Sequence, residues 1–541
     1  MRKWLTSAGG FLPLAILWLA PLAAGFLAVI LGTLDGEAWR GLFEQPQLWP
    51  ALSLSLATGT ASLVISSLLA FWIVAGLYGG RLWSASSGLM GSFLSLPHLA
   101  FAIGFGFLIT PSGLIARIAG SVAGWAEPPQ WVTTQDPLGL SLIAVLVLKE
   151  VPFLIWLIGA LLARQDISQM LRGHFRVSQS LGHGSASVWL RVFIPQILPR
   201  LKWPLLIVWV YGASVVDVAL AIGPTQPPPL SVIVWSDLNN ADAAINARGT
   251  AGALFLTGAL ACIALVFWVL QRAVLSIIWN FLTRGPSPRR TPRTSSITLL
   301  LCFVTIYLMV FVILCIMSFG TLWPFPNLFP AEFRWTAWWN FLVSPAPLIN
   351  SLSLACAATL VALALAIFWF ESLPEKLDGI VLGGAITALA LPSLLIADGQ
   401  YLAFLHLNLN GTWFGVFLAH LTPVFAYVFI VLKGPYRAFD PRYRSVSLGL
   451  NTDQYRFWSS VKLAMMKPAL AAAGAVGIGV SIAQYVPAQL IASGRMTTLP
   501  IEAVTLASGG SRPLLAVFAL MLAIVPAVAF VTAARLGRKS P

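Results

Sequence analysis

Charge is what this 541-residue chain has least of: 18 acidic and 32 basic residues leave it 9% charged against 58% hydrophobic. An ordinary globular chain is about one quarter charged, and several soluble domains would need that polar cover. A water-soluble fold is therefore excluded, and so is disorder, which requires low hydrophobicity. Cysteine is also scarce. Cys262, Cys302, Cys315 and Cys356 all lie inside apolar runs, so neither a disulfide framework nor a Cys/His metal spacing is present. The five histidines, His98, His174, His183, His406 and His420, are scattered without metal-ligand spacing. No Gly-x-x-x-x-Gly-Lys-Ser/Thr segment occurs, so the chain has no P-loop to cradle ATP phosphates. No activated nucleophile or carboxylate pair is legible, which speaks against an intramembrane enzyme, and no cofactor is implied.

What the chain has in abundance is apolar length. Twelve runs of roughly 20 apolar residues, each long enough to cross a bilayer core, cover 11 to 32, 51 to 76, 89 to 110, 138 to 163, 203 to 223, 250 to 271, 297 to 319, 348 to 370, 380 to 406, 412 to 432, 469 to 492 and 513 to 534. The expected fold is an all-α polytopic membrane protein. The first run follows Arg2 and Lys3 but stays apolar through Leu31, past the length of a signal-peptide core, so it is read as an uncleaved helix. With the N-terminus inside, most Lys and Arg fall on cytoplasmic segments, as the positive-inside rule requires, and both termini are cytoplasmic. The net charge of +14 then reports topology and contact with the lipid bilayer rather than nucleic acid.

The chain also resembles itself. Ser53-Leu54-Ser55-Leu56-Ala57 and Phe71-Trp72 return as Ser351-Leu352-Ser353-Leu354-Ala355 and Phe368-Trp369. Leu96-Pro97 matches Leu391-Pro392, Pro152 matches Pro423, and Ser180-Leu181-Gly182 matches Ser447-Leu448-Gly449. The expected organisation is a tandem duplication with six spans per half: residues 1–283, a Pro/Ser/Arg-rich cytoplasmic linker 284–296, and residues 297–541. The first half carries extra residues around 115–136, read as an external cap or interfacial loop.

Between the fourth and fifth spans each half has a long basic loop, at 172–199 and 437–468. Each reads as a short helix, a glycine turn permitting positive φ, a second short helix and a proline-bounded entry into the next span. At these residues the chain resembles the permease subunits of bacterial ABC importers, whose signature there is Glu-Ala-Ala, three residues, Gly, and a hydrophobic-Pro ending. Gly182 and Gly449 occupy the glycine, Leu181 and Leu448 precede it, and Ile194-Pro195 with Pro199 fits the ending. The glutamate position holds Arg176 and Tyr443, and Ala464 stands where the second-half proline is expected, with Pro468 following.

The resemblance implies a type I ABC importer-like architecture of two fused permease domains, arranged like the thiamine and ferric-iron permeases of Gram-negative bacteria. It implies a bacterial inner-membrane location, a separate cytoplasmic ABC ATPase dimer docking on Ser180, Leu181, Gly182, Pro195, Pro199, Ser447, Leu448, Gly449 and Pro468, and a periplasmic solute-binding protein that delivers a small molecule or ion. The chain itself is then a transport subunit and not an enzyme. Ionisable groups inside spans mark pathways by default, so Lys149, Glu150, Asp217, Asp398 and His420, with Gln484 and Tyr485 near the equivalent of Asp217, are the candidate path residues. Lys149 and Glu150 also admit a structural reading, neutralising each other or pairing with neighbouring helices. The alternative is a proton- or ion-coupled secondary transporter with 12 helices, whose signature loop belongs between spans two and three; here that place holds only Leu77-Tyr78-Gly79-Gly80-Arg81.

Overall fold

The computed structural model describes residues 11–34, 36–284, 293–450 and 453–538. It is an all-α polytopic membrane protein. The principal helices of the first half are α1 (Ala20–Gly32), α2 (Leu48–Leu77), α3 (Arg81–Phe93), α4 (His98–Ile109), α5 (Leu140–Ala163), α6 (Gln165–Ser180), α7 (Lys202–Ser214), α8 (Asp217–Ile222), α9 (Leu230–Leu238) and α10 (Ala243–Arg284). Those of the second half are α11 (Arg293–Phe319), α12 (Ala346–Ser372), α13 (Asp378–Ala390), α14 (Ser393–His406), α15 (Trp413–Arg437), α16 (Arg442–Gly449), α17 (Leu463–Ile482), α18 (Val486–Ala492), α19 (Leu499–Ala507) and α20 (Arg512–Arg538).

Among the described residues ten helices are long and apolar enough to span, and α13 with α14 makes an eleventh bent by 102°. The expected count of twelve is corrected by helix breaks. The run at 203 to 223 divides at Val215 and Val216 into α7 and α8, too short singly to cross. The run at 89 to 110 is interrupted before Pro97, and the bend between α13 and α14 falls before Pro392. In both places the proline ring disfavours helical geometry in the residue ahead of it, and Leu391 is extended. The linker is also shorter than expected: α10 continues to Arg284 and α11 begins at Arg293, while residues 285–292 of the expected linker lie outside the described residues. Arg2, Lys3 and Lys539 lie outside them as well.

The halves are interleaved through their first helices. α1 crosses α14 where Gly25 meets Gly399; a Cβ on Gly399 would lie 2.5 Å from the Gly25 carbonyl oxygen. α11 crosses α4 at Gly104, where a Cβ would lie 2.7 Å from Val310. Without side chains at these crossings the backbones approach closely, the usual solution where lipid offers no hydrophobic drive. An aromatic donor accompanies each crossing: Trp18 Nε1 donates to the Thr422 carbonyl at 2.9 Å, and the Tyr307 hydroxyl donates to the Leu148 carbonyl at 3.0 Å. Pro152 explains the second bond. Having no N–H, it strips the Leu148 carbonyl of its intrahelical donor, and Tyr307 replaces it.

Within each half, the second span is fixed to a later helix start. Ser55 Oγ accepts from the Leu230 amide at 2.9 Å, and Ser351 Oγ accepts from the Leu499 amide at 2.8 Å. This corrects the register of the repeat. The structural partner of Ser351 is Ser55, 296 residues earlier, and not Ser53. At the same spacing the buried positions coincide, Ala70 with Ala366, Ile73 with Trp369 and Val74 with Phe370, while exposed Trp72 matches exposed Phe368. Two residues along a helix turn a side chain through about 200°, so the letters favour the register of Ser53 with Ser351 while burial selects that of Ser55 with Ser351, where only Ser55 and Leu56 find identical letters.

The extra first-half residues form a short helix, Leu114–Ala123, and a loop. Buried Arg117 ties this piece to the second half, donating to the carbonyls of Trp323, Pro324 and Asn327 and stacking over Trp323 with its guanidinium carbon 4.6 Å from the ring centre. Asp136 closes the loop by capping α5: its carboxylate accepts from the Leu140 and Ser141 amides and the Ser141 hydroxyl. Burial pushes this carboxyl up, but those bonds together hold it below its ordinary value.

Candidate functional site

Two groups of residues carry the chemistry, one where helices break inside the bundle and one at the helical knobs that follow α5 and α15. In the first, the breaks after α3 and after α7 bring His98, Glu150, Tyr211 and Asp217 together. His98 opens α4, and its Nε2 lies 3.2 Å from Glu150 Oε1 while its ring packs 4.9 Å from that of Tyr211. Asp217 opens α8 within charge range of His98 and Tyr211, and Tyr427 of α15 shares that range of Tyr211. The second half also supplies Tyr485, within charge range of Asp217 and 5.1 Å from the Trp235 ring. His98, Tyr211, Asp217 and Tyr427 are partly rather than fully buried.

The other path candidates stand apart from this group. Lys149, next to Glu150 in sequence, points elsewhere: its ammonium donates to the carbonyls of Phe93 at 3.0 Å and Leu96 at 2.5 Å. It caps the end of α3 at the Pro97 break, where helix carbonyls lack donors. Of the two structural readings of this pair, the structure has each residue pairing with a neighbouring helix. Asp398 is buried on α14, and its Oδ2 has no hydrogen-bond partner among the described residues. His420 Nδ1 lies 2.8 Å from Ser481 Oγ, and Gln484 Nε2 donates to the His420 carbonyl at 3.2 Å. His420 Nε2 and Gln484 Oε1 have no partner. Asp217 itself aligns with Val486, each being the first residue after its break, so Gln484 and Tyr485 match Val215 and Val216. His98, Tyr211 and Tyr427 were missed in the sequence. The one available signal was His98 directly following the matched Leu96-Pro97.

The knobs follow equivalent spans. In the first half α6 leaves α5, Gly182 turns the chain at φ +77°, and the chain from Ser185 onward packs back through Trp189 and Phe193, whose rings are 4.8 Å apart. Tyr78 meets Trp189 edge-on at 5.6 Å. Ser180, Leu181 and Pro199 are exposed and Pro195 is half-buried. In the second half α16 is short and Gly449 is its last residue, without positive φ, which corrects the expected glycine turn there. Residues 451–452 of this loop lie outside the described residues. Leu448 is exposed, Ser447 is buried, and Pro468 lies inside α17 rather than ahead of it.

At both knobs an apolar pair one helical turn apart projects outward. Val177 and Leu181 are 60% and 70% exposed, and Val446 and Leu450 are 61% and 74% exposed. These pairs match at a spacing of 269 residues, whereas the Ser-Leu-Gly strings match at 267.

Along 519 residues, 96% of its own length and 94% of the relative's, the chain is 29% identical to the inner membrane ABC transporter permease protein YnjC of Escherichia coli (strain K12). The chain is thus similar to an ABC transporter permease. No protein-family model matches it. The alignment takes in both knobs and both halves of the broken-helix group, so the likeness is not confined to apolar spans of one half.

Proposed function

We propose that this chain is the membrane-spanning permease subunit of an ATP-driven ABC importer in a bacterial inner membrane, with both termini and both knobs in the cytoplasm. The observation that carries this reading is the pair of outward-facing apolar knobs, in a chain similar over 96% of its length to an ABC transporter permease. Each knob docks on one subunit of a separate ATPase dimer, and a periplasmic solute-binding protein delivers substrate from the other side. The halves arise from a tandem duplication, supported by the recurring serine-to-helix-start bond and the reciprocal crossing of first helices.

Substrate passes between the halves along His98, Glu150, Tyr211, Asp217, Tyr427 and Tyr485. Breaks in the fifth span of each half place backbone and polar side chains where an unbroken apolar helix would present hydrocarbon, and irregular backbone at membrane depth belongs where it lines a cavity. Lys149 supports the break rather than the path. Two carboxylates beside several tyrosine rings suit a cationic or polar substrate of the thiamine or metal-complex kind over an anion.

The test is purification of the tagged chain from its native membrane in mild detergent, with mass spectrometry of co-purifying chains and an ATPase assay. The expected result is a P-loop ATPase in about twofold excess. A chain that comes down alone and without ATPase activity, under conditions preserving a known importer, would favour the ion-coupled secondary transporter.

A further inference from the structure

The two knobs present the same apolar pair in different charge settings. On α6, Arg172 and Arg176 form a ridge one turn apart beside Val177 and Leu181, and both residues are exposed, with no ion pair or side-chain hydrogen bond among the described residues. The one acidic residue on that helix, Asp166, is engaged by Arg164 at its far end, with Nη2 2.9 Å from Oδ2. On α16 two arginines, not at equivalent positions, are engaged within the knob. Arg442 is held by Asp440, with Nη2 2.7 Å from Oδ2, and Arg444 donates to Gln454 Oε1 at 3.2 Å.

An exposed apolar ridge flanked by free guanidiniums complements an apolar groove rimmed by carboxylates; one whose arginines are engaged within the knob, Arg442 balanced by Asp440 and Arg444 hydrogen-bonded to Gln454, offers less free cationic charge to such a rim. Building on the proposed docking of an ATPase, we infer that its groove is rimmed by Asp or Glu side chains, and that the first knob makes the charge-dependent contact. The second knob docks through Val446 and Leu450 with little electrostatic contribution. A symmetric ATPase dimer therefore grips this chain unequally, through α6 by charge and apolar contact and through α16 by apolar contact.

The experiment embeds the full chain in zwitterionic phosphatidylcholine nanodiscs and titrates it with the purified P-loop ATPase that accompanies it, at low and high salt. Wild type is expected to bind more weakly at high salt. Arg172→Glu with Arg176→Glu should weaken binding at low salt by about tenfold or more and remove most of the salt dependence, with the Gln pair intermediate. Arg442→Gln with Arg444→Gln should change binding by less than about threefold, a smaller loss than that of the α6 Gln pair. Equal losses in the two pairs, or salt dependence that survives the α6 substitutions, would overturn the inference. So would unchanged ATPase binding by the α6 variant together with lost binding of the chain to phosphatidylglycerol vesicles, because the arginines would then serve lipid headgroups. A wild-type chain that binds no ATPase in either salt would instead sink the proposed function, a different failure read from a different sample.

Discussion

The knobs after α5 and α15 hold to the bundle by different physics. The second is fastened by charge. Arg437 grips buried Asp378 through Nε at 2.8 Å and Nη2 at 2.7 Å, and donates further to the Phe370 and Leu373 carbonyls. Trp369 Nε1 completes the shell of Asp378 at 2.9 Å. A turn further on, Lys462 reaches Glu371 at 2.7 Å, Tyr436 donates to the same carboxylate oxygen, and the ammonium lies 4.3 Å from the Tyr436 ring centre. The first knob is fastened by aromatic packing of Trp189 and Phe193 against Tyr78 and Phe175. Ionic attachment spends Arg437 and Lys462 of the second knob inside the protein; apolar attachment leaves Arg172 and Arg176 of the first exposed for a partner. One architecture thus supports two joints that differ in what they leave exposed.

The largest effects are expected where either fastening is cut. Asp378→Ala leaves half-buried Arg437 without its carboxylate, and losing one partner of a largely buried pair costs about 3 kcal/mol. Trp189→Ala removes a buried ring and should cost a similar amount, about 3–5 kcal/mol. Thermal unfolding of the purified chain measures the size, and hydrogen exchange over 437–468 and 185–200 measures the place. Each variant should loosen its own knob and leave the other protected. Loosening of both by either change would mean that the joints are one cooperative unit.

Much of the fold was legible because apolar length and proline position are local properties of the sequence. The spans, Pro97, Pro392 and the knob positions all follow from them. The register was not, because Ser53 and Ser55 are identical letters on different helix faces, and only burial against α9 distinguishes them. Nor were the fastenings: Arg437 and Asp378 are 59 residues apart, and Lys462 and Glu371 are 91 apart, with a helix reversal between. A basic loop read as uniformly cationic therefore contained arginines already spoken for. On α5, Lys149 and Glu150 are sequence neighbours that diverge to different helices, which no spacing rule reveals. His98, set aside among scattered histidines, gains its meaning from the break that turns it towards Glu150.

Intermediate effects separate the two ionic links of the second knob. Lys462→Gln removes a cation from a carboxylate that is 36% exposed, so water takes over much of the interaction and the cost should be about 1 kcal/mol or less. Its unfolding midpoint should also lose the salt sensitivity of the wild type. Asp136 provides a comparable step outside the knobs, since replacing a helix cap costs about 1 kcal/mol. Its folded carboxyl lies below the ordinary value, so its contribution is complete above the unfolded pKa and is lost as pH falls through the folded one. The stability difference between wild type and Asp136→Ala should therefore shrink on acidification below about pH 4.

The smallest expected effect is the sharpest test of the comparison. Arg164 and Asp166 form a two-point ion pair at the start of α6, the only such pair on the first knob among the described residues. Hydrogen bonding from Arg164 holds the Asp166 carboxyl below its usual range, which by itself would suggest a fastening like that of Asp378. Exposure argues otherwise. Both side chains are 63% exposed, so each trades the other for water at little cost, and salt screens what remains. Asp166→Ala should leave unfolding temperature and knob hydrogen exchange unchanged within error, at low and at high salt. A loss approaching that of Asp378→Ala would show the first knob to be ionically fastened too, and the contrast between an occupied and a free set of arginines would no longer rest on how the knobs are attached.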